Sequence, residues 1–288
     1  MATRVEAAVI IRTAPHEGPM MKRGPARNIR CPRRILTEVV HGRQAIEAAR
    51  ELRAQALVKA FNGHRVVDEV SLYIRSGEVV GLLGPNGAGK TTTFYMITGL
   101  VRPDSGHILL DGQDISVLPV YLRARLGLNY LPQETSVFRK LTVSQNIMAI
   151  LETVEPDKSR RKARLEALLD ELDISRLRDQ RAESLSGGQK RRLEITRALV
   201  TDPDFMLLDE PFAGLDPIVV LEIQKIIATL KQRGIGIVIT DHNTRETLGV
   251  CDRIYLLDKG RILEHGDPRS IAASDRAKEV YLGKQFRM

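Results

Sequence analysis

A glycine-rich segment, Gly84–Thr91, constrains the fold of this 288-residue chain more than any other feature. Its sequence, GPNGAGKT, fits the pattern GxxxxGK[ST] and joins the apolar run Glu78–Leu83 to a predicted helix. In a strand–loop–helix setting, the glycines let backbone N–H groups approach phosphate oxygens, and the helix N-terminus adds partial positive charge. The segment therefore predicts an α/β domain that binds a nucleoside triphosphate, with Lys90 at the β- and γ-phosphates and Thr91 on Mg²⁺. The residues expected to contact the nucleotide here are Gly84, Pro85, Asn86, Gly87, Ala88, Gly89, Lys90, Thr91 and Thr92.

Two adjacent carboxylates, Asp209 and Glu210, follow a second apolar run, Phe205–Leu208. Ligands of α/β sheets bind at the carboxyl ends of the strands. We therefore expect Asp209 to belong to the Mg²⁺ site and Glu210 to polarise an attacking water. An Asp-Glu pair after a strand is by itself more often a solvated strand end, but its combination with the phosphate loop favours the catalytic interpretation.

A Ser-Gly-Gly-Gln turn at residues 186–189 precedes a predicted helix over 190–199. Such a turn offers a hydroxyl, backbone amides and a helix dipole to an anion. Alone, the turn could be a flexible helix cap. Because it lies between the phosphate loop and Asp209, we interpret it as a second phosphate-binding helix end.

Strand and helix patterns alternate from about residue 54 to residue 270. An Asn62-Gly63 pair between two β-rich runs predicts a hairpin. Apolar residues at helical spacing predict helices over 159–173 and 223–230, and Gly234 ends the second. The remaining predicted strands are Ala56–Ala60, Val66–Ile74, Ile108–Leu110 and Gly236–Thr240, with a hairpin over Tyr255–Leu263. These patterns predict one nucleotide-binding α/β domain with a helical insertion.

The net charge of +8 is concentrated in the first 50 residues, which contain ten Arg or Lys and four Glu. Six of the eight net charges lie there, which leaves +2 for the other 238 residues. A basic chain suggests a nucleic-acid or anionic-membrane partner, but the nearly neutral domain leads us to expect no nucleic acid. Residues 1–53 are predicted to form a basic, flexible extension with a short helix over about 37–53. A transit peptide and a functionless upstream start are the alternatives.

Cysteine content and hydropathy exclude several classes of protein. Cys31 and Cys251 cannot form a disulfide framework, and no Cys/His cluster indicates a metal site. No apolar run reaches the roughly 18 residues of a membrane span. The early run Ala7–Ile11 is too short for a secretory signal. We expect a globular protein, and the cysteine usage is compatible with the cytosol.

Six motifs occur in the order GPNGAGKT, LPQE, LSGGQ, LLDEP, AGLD and ITDH. In this order they resemble the ATP-binding subunits of ABC transporters, from about Leu57 to the C-terminus. The resemblance implies an α/β P-loop NTPase fold of the ABC type, with a RecA-like core and an antiparallel β subdomain. It also implies a helical subdomain at about 134–190, within a domain at 54–270, and a C-terminal extension at 271–288 that packs on the domain.

The same resemblance implies that two cassettes form a head-to-tail homodimer through their ATP sites, with Mg²⁺ bound beside each ATP. The implied catalytic residues are Glu210, His242 as the switch histidine and Gln133 of the Q-loop. The implied nucleotide contacts beyond the phosphate loop are Phe61, which stacks on adenine, the partner-facing Ser186, Gly187, Gly188 and Gln189, and Asp216 of the D-loop. The implied metal contacts are Thr91, Gln133 and Asp209. Tyr is commoner than Phe at position 61, a departure that keeps the stacking and loses the hydroxyl.

Three stretches outside the nucleotide motifs narrow the resemblance to the ATPases of lipopolysaccharide export systems. They are LPQETSVFRKL at 131–141, ITDHNTRETL at 239–248 and YLGKQFRM at 281–288. This resemblance implies a peripheral position on the cytoplasmic face of the inner membrane and two integral membrane permease subunits that dock near Gln133–Phe138. Phe138, flanked by Arg139 and Lys140, suits an apolar anchor in a groove. The alternative is that Phe138 packs inside the helical subdomain.

Other functions remain to be weighed against lipopolysaccharide export. ATPases of branched-chain amino acid uptake are close relatives and form the main alternative. Soluble ABC proteins that act on ribosomes usually carry two cassettes, whereas this chain has one phosphate loop. DNA-repair members insert a long coiled coil, which the stretch between Lys90 and Leu185 is too short to hold. The presence of Glu210 and His242 disfavours a sensor that binds nucleotide without hydrolysis.

Overall fold

Two β-sheets organise the part of the chain that the computed structural model describes, which is residues 49–283, 285 and 286. An antiparallel sheet has the strand order β2-β1-β4-β5, and a central, mainly parallel sheet has the order β10-β9-β3-β8-β7-β6. The strands are β1 Glu51–Phe61, β2 His64–Arg75, β3 Val79–Leu83, β4 Ser105–Leu110, β5 Gln113–Asp114, β6 Leu128–Leu131, β7 Phe205–Asp209, β8 Gly236–Thr240, β9 Arg253–Asp258 and β10 Arg261–Gly266.

The helices begin at residues suited to capping. Thr142 and Ser186 each form a capping box with a glutamine three residues later, and Asp157 and Asp267 accept hydrogen bonds from the first turn of their helices. The helices are α1 Lys90–Thr98, α2 Val120–Arg125, α3 Val143–Val154, α4 Lys158–Glu171, α5 Gly187–Leu199, α6 Pro217–Gln232, α7 Thr244–Val250, α8 Pro268–Ala273 and α9 Asp275–Ala277. Shorter turns are the 3₁₀ segments Ser175–Leu177 and Ala182–Ser184 and the π-helical segment Lys278–Leu282.

The central sheet brings the chemically important segments to one edge. Every residue of β3, β7 and β8 is buried, which explains their continuous apolar sequences. These three strands and β6 run parallel, in the order β3-β8-β7-β6. Their carboxyl ends therefore lie side by side, and the phosphate loop, Glu210, His242 and Gln133 all follow these ends.

The Asn62-Gly63 turn joins β1 and β2, as predicted. Both residues have positive φ, 50° and 81°, as a tight antiparallel hairpin requires. The hairpin places Phe61 at the end of β1. The other predicted strands and helices are also present, with ends shifted by a few residues.

The predicted helix over 37–53 is wrong at its C-terminal end, because Glu51–Arg53 form the start of β1. Arg50 already belongs to the domain, since its Nε lies 2.7 Å from Asp111 and its guanidinium also pairs with Asp204. The domain therefore begins before residue 54. Residues 1–48, which hold most of the predicted extension, lie outside the described residues.

Buried side chains form two apolar clusters. One cluster combines helices α3, α4 and α5 with α6 and one side of the central sheet. The other joins the antiparallel sheet to α1. Ile271 and Ala277 are buried in the first cluster, and Tyr281, Leu282 and Phe286 pack against it. These five residues of the C-terminal segment thus lie in or against the core of the domain. No helix within residues 49–283 is long and apolar enough to cross a membrane.

A buried arginine fixes the far end of α1. Arg123, which is 1% exposed, donates to the carbonyl oxygens of Met96, at 2.8 Å, and of Ile97. Burial lowers the pKa of Arg123 to about 10, so the side chain stays cationic at neutral pH. A cation at the carbonyl end of a helix is favourable because the dipole is negative there. Arg123 thereby holds the helix whose other end carries the phosphate loop.

Candidate nucleotide site

The phosphate loop wraps closely around the start of α1. Gly89 caps the helix with φ 96°, and a Cβ on it would lie 2.5 Å from the carbonyl oxygen of Val66. A Cβ on Gly84 would lie 2.2 Å from the carbonyl oxygen of Leu257. Only glycine fits at these two positions. Because no side chain caps α1, its first amides are available to a phosphate.

Lys90 lies inside this loop. Its Nζ donates to the carbonyl oxygens of Gly84, at 2.6 Å, and Pro85, at 2.9 Å. Burial lowers the pKa of Lys90, while the negative charge of Glu210 acts in the opposite direction. A phosphate bound here would favour the charged ammonium in the same way.

Asp209 ends β7 and is 5% exposed. Burial raises the pKa of Asp209, and the hydrogen bond from the Tyr130 hydroxyl to Oδ2, 3.2 Å long, opposes that rise. The negative charges of Glu210 and Asp241 raise the pKa further. The site therefore concentrates carboxylates in a poorly solvated place, an arrangement that a cation would stabilise.

The three predicted catalytic residues come together at one carboxylate oxygen. Oε2 of Glu210 accepts a hydrogen bond from Nε2 of Gln133 at 2.7 Å and lies 3.2 Å from Nδ1 of His242. Glu210 has a left-handed backbone with φ 44°, and its N–H donates to the carbonyl of Thr240 at 2.7 Å. Gln133 and His242 are both exposed.

The sequence analysis assigned no role to Asp241, which follows β8 directly. Asp241 is 1% exposed and accepts hydrogen bonds from the backbone N–H groups of Asn243, at 2.7 Å, and Phe212, at 3.0 Å. Its carboxylate thus links the loop that carries His242 to the segment after Glu210. The position of Asp241 directly after a buried strand could have marked it as a site residue. Its hydrogen bond with Phe212 could not be predicted, because that contact requires β7 and β8 to be neighbours in the sheet.

The Ser-Gly-Gly-Gln turn at residues 186–189, called the signature turn from here on, is a well-formed helix start. Ser186 Oγ accepts from the N–H of Gln189 at 3.3 Å, and Gln189 Oε1 accepts from the N–H of Ser186 at 2.9 Å. A Cβ on Gly188 would lie 2.4 Å from Cγ1 of Val219 on α6. The turn therefore packs against the segment that follows Asp216.

Some of the predicted residues stay apart within this one chain. No hydrogen bond or ion pair between described residues joins Ser186–Gln189 to the phosphate loop. Asp216 is the exposed N-cap of α6. Phe61 is 39% exposed, so its ring is accessible from solvent. The Nζ of Lys59 lies over the ring, 5.5 Å from its centroid, as in a cation–π contact.

Phe138 does not pack fully inside the helical region, because 38% of its surface is exposed. Arg197 lies over its ring at 4.5 Å and donates to the carbonyl of Ser136 at 2.6 Å. Asn146 accepts from the N–H of Phe138 at 2.8 Å. The segment after Gln133 is therefore held in place with its aromatic ring partly presented to solvent.

The fold and this site define a P-loop ATPase of the ABC type, and the ABC transporter family profile matches residues 67–213. The chain belongs to the ATP-binding subunits of ABC transporters. It binds ATP and hydrolyses it as a subunit of a transporter.

Among individual relatives, the chain is 56% identical over 237 residues to the lipopolysaccharide export system ATP-binding protein LptB of Acidithiobacillus ferridurans, covering 82% of this chain and 98% of that protein. It is 54% identical over 239 residues to the LptB protein of Escherichia coli K12, covering 82% of this chain and 99% of that protein. Among solved structures, the ADP conformation of MJ1267, an ATP-binding cassette of an ABC transporter, is 28% identical with a TM-score of 0.74, covering 82% of this chain and 100% of that chain.

Proposed function

We propose that this chain hydrolyses ATP to power the extraction of lipopolysaccharide from the inner membrane and its export to the outer membrane. The observation that carries the proposal is the identity of 54–56% to LptB proteins, over 98–99% of their lengths. The resemblance in the stretches around Gln133, His242 and Tyr281, beyond the motifs common to ABC proteins, supports the same assignment.

The residues at the strand ends suit a magnesium ion bound with ATP. Thr91, Gln133 and Asp209 offer a hydroxyl, an amide oxygen and a carboxylate, which are hard donors. A magnesium ion in such a site is usually bound by one or two protein groups together with the phosphates of the nucleotide. When bound, Mg²⁺ would neutralise charge on the β- and γ-phosphate oxygens.

In the proposed mechanism, Glu210 takes up the proton of the attacking water. In the structure its Oε2 accepts a hydrogen bond from Gln133, at 2.7 Å, and lies 3.2 Å from Nδ1 of His242. A bound γ-phosphate offers these two side chains charged oxygens instead, because charge-assisted hydrogen bonds are stronger. Their departure leaves the Glu210 carboxylate free to orient and deprotonate water.

We further propose that two copies associate head to tail, so that Ser186–Gln189 of one copy bind the ATP held by the other. The start of α1, which has no side-chain cap, and the separate signature turn, in which Ser186 and Gly187 are exposed, support this arrangement. Two integral membrane permease subunits, similar to LptF and LptG, would dock near Gln133–Phe138 from the cytoplasmic face of the membrane. The part-exposed ring of Phe138 supports that docking. No nucleic acid is expected as a partner.

The test is recovery of the full chain from membranes of its own cells under mild detergent, followed by identification of the bound subunits and lipid. We expect two permease subunits and lipopolysaccharide, and ATP hydrolysis that depends on the assembled complex. Recovery with an amino-acid permease and no lipopolysaccharide would contradict the proposal. A Glu210→Gln complex serves as the inactive control for ATP hydrolysis.

A further inference from the structure

We propose that the Tyr130 hydroxyl is a positioning group that orients the Asp209 carboxylate toward the metal ion that accompanies ATP. The inference rests on the proposed role of Asp209 as a metal ligand. Tyr130 lies on β6, which pairs with β7, and is opposite Leu207 in the register. It thus comes from a strand beside the one that ends in Asp209.

The Tyr130 hydroxyl anchors one of the two carboxylate oxygens. It donates to Oδ2 of Asp209 at 3.2 Å, while Oδ1 has no hydrogen bond in the described part of the chain. Arg191 also approaches Asp209, but its Nη2 donates to the backbone carbonyl oxygen of Asp209, at 3.2 Å, and makes no hydrogen bond to the carboxylate. One fixed oxygen and one open oxygen suit a carboxylate that binds a metal or a metal-bound water through a single oxygen.

The tyrosine is itself held by the helix of the phosphate loop. Its ring makes edge contacts with Phe94, at a centroid distance of 6.0 Å, and with Tyr95, at 6.3 Å, both on α1. Thr91, the proposed hydroxyl ligand of the metal, lies in the first turn of the same helix. Tyr130 therefore connects the elements that supply two of the proposed metal ligands, Thr91 on α1 and Asp209 on β7, and fixes the position of one relative to the other.

The hydroxyl is the donor in this bond, because an ionised carboxylate can only accept. Loss of the hydroxyl would leave Oδ2 of Asp209 without its hydrogen bond and the carboxylate free to rotate.

Tyr130→Phe removes the hydroxyl and keeps the ring contacts with α1. In the purified full chain, we expect the Mg²⁺ concentration for half-maximal binding of a fluorescent ATP analogue to rise about 10-fold, the lower end of the loss seen when a group supporting a metal ligand is removed. We expect nucleotide affinity without Mg²⁺ to change less than about twofold, because the phosphate loop is intact. Mn²⁺ binding in the presence of ATP, followed by electron paramagnetic resonance, should weaken in parallel.

Tyr255→Phe is the matched control. Tyr255 is a buried tyrosine on β9. Its hydroxyl accepts a hydrogen bond from Arg253 at 2.8 Å and makes none with Asp209 or Glu210. This control should leave the Mg²⁺ requirement unchanged. All titrations should be run at a temperature at which thermal unfolding curves show that both variants are folded.

An unchanged Mg²⁺ requirement in Tyr130→Phe would overturn the inference. Equal losses of nucleotide affinity with and without Mg²⁺ would also overturn it, since they indicate a packing role. Asp209→Asn distinguishes a failure of the Tyr130 positioning role from a failure of the proposed metal site. If Asp209→Asn raises the Mg²⁺ requirement and Tyr130→Phe does not, the positioning role alone fails. If neither variant raises it, the proposed metal site fails as well.

Discussion

At the residue scale, Glu210 combines an unusual backbone with a shared carboxylate. Its φ of 44° is in the left-handed region, which costs a residue with a Cβ on the order of 1 kcal/mol. The bond from its N–H to Thr240, 2.7 Å long, holds that conformation. The conformation directs the side chain to Gln133 and His242 instead of along the strand.

Replacing Glu210 by glutamine should preserve ATP binding and abolish most turnover, because the amide cannot accept the proton of water. We expect the rate of ATP hydrolysis to fall at least about 100-fold, the scale of a lost general base, and an ATP-bound dimer to accumulate. Phosphate release and size-exclusion chromatography measure the two effects. Glu152→Gln, on the exposed side of α3, is the control. Near wild-type hydrolysis in Glu210→Gln would remove Glu210 from the base role.

The raised pKa of Asp209 predicts how stability depends on pH. Because the folded state favours the protonated carboxyl, ionised Asp209 destabilises the nucleotide-free protein, and this effect grows as pH rises above the ordinary value of 3.8. Asp209→Asn should therefore raise the free energy of unfolding at pH 7 by about 1 kcal/mol, the scale of an incompletely paired buried group.

The gain in Asp209→Asn should shrink as the pH is lowered toward 4, which urea unfolding at several pH values can measure. The exposed Asp179→Asn serves as the control. A gain that is constant with pH would show that the charge of Asp209 is not its source.

At the element scale, the start of α5 and the start of α6 pack without room for an extra methyl group. A Cβ on Gly188 would approach Cγ1 of Val219 to 2.4 Å. Arg192 of α5 also pairs with Glu222 of α6 at 2.6 Å, so the two helices are joined by charge as well as by shape. The signature turn and the Asp216 segment are therefore expected to move together.

Gly188→Ala should destabilise the fold by about 1 kcal/mol, because overpacking costs about 1–3 kcal/mol and helix propensity returns part of it. Val219→Ala should relieve the clash in the double variant. The double-mutant cycle, measured by chemical denaturation, should give a favourable coupling of about 1 kcal/mol or more. Additive effects would mean that the two side chains do not touch.

The elements could be predicted where local chemistry decides them. Buried strands such as Phe205–Leu208 are continuous apolar runs, and the Asn62-Gly63 turn is specific for a hairpin. The start of β1 was missed because its alternation is interrupted. Leu52 and Ala54 are buried, but Ala56 has φ 46° and the register shifts between Ala54 and Leu57, so a bulge breaks the period of two.

The candidate site could be predicted only as far as motifs extend. Lys90, Asp209 and Glu210 follow from their neighbours in the sequence, because the strand–loop–helix and strand-end contexts are local. The hydrogen bond from Tyr130 to Asp209 forms because β6 lies beside β7 in the sheet. The sequences of these two strands do not reveal that they are neighbours. Such contacts require the assembled sheet.

At the scale of the whole molecule, Arg50, the last of the ten basic residues in the first 50, already belongs to the folded domain. Arg50 pairs with Asp111 and Asp204, and its N–H donates to Ser76 Oγ at 3.0 Å, so it ties the start of β1 to both sheets. The six net positive charges of residues 1–50 precede all of the nucleotide motifs. We therefore treat residues 1–48 as separable from hydrolysis and Arg50 as part of the domain.

Deletion of residues 1–48 should change ATP hydrolysis by less than about twofold, because no catalytic group is lost. The deletion should also leave the unfolding midpoint nearly unchanged. Arg50→Ala in the full chain should lower stability by about 1 kcal/mol, since it removes the cationic partner of both Asp111 and Asp204. Phosphate release and denaturation measure these effects, and a large loss of hydrolysis on deletion would show that the segment belongs to the enzyme.

Two separate loops hold the Glu210 carboxylate, since Gln133 follows β6 and His242 follows β8. A motion of one loop alone therefore leaves the carboxylate engaged by the other. In the proposed mechanism the γ-phosphate is the group that draws both side chains away. Hydrolysis is then expected to begin only when both loops contact the same ATP, so the rate at which ATP is consumed depends on how often the two loops close on it together.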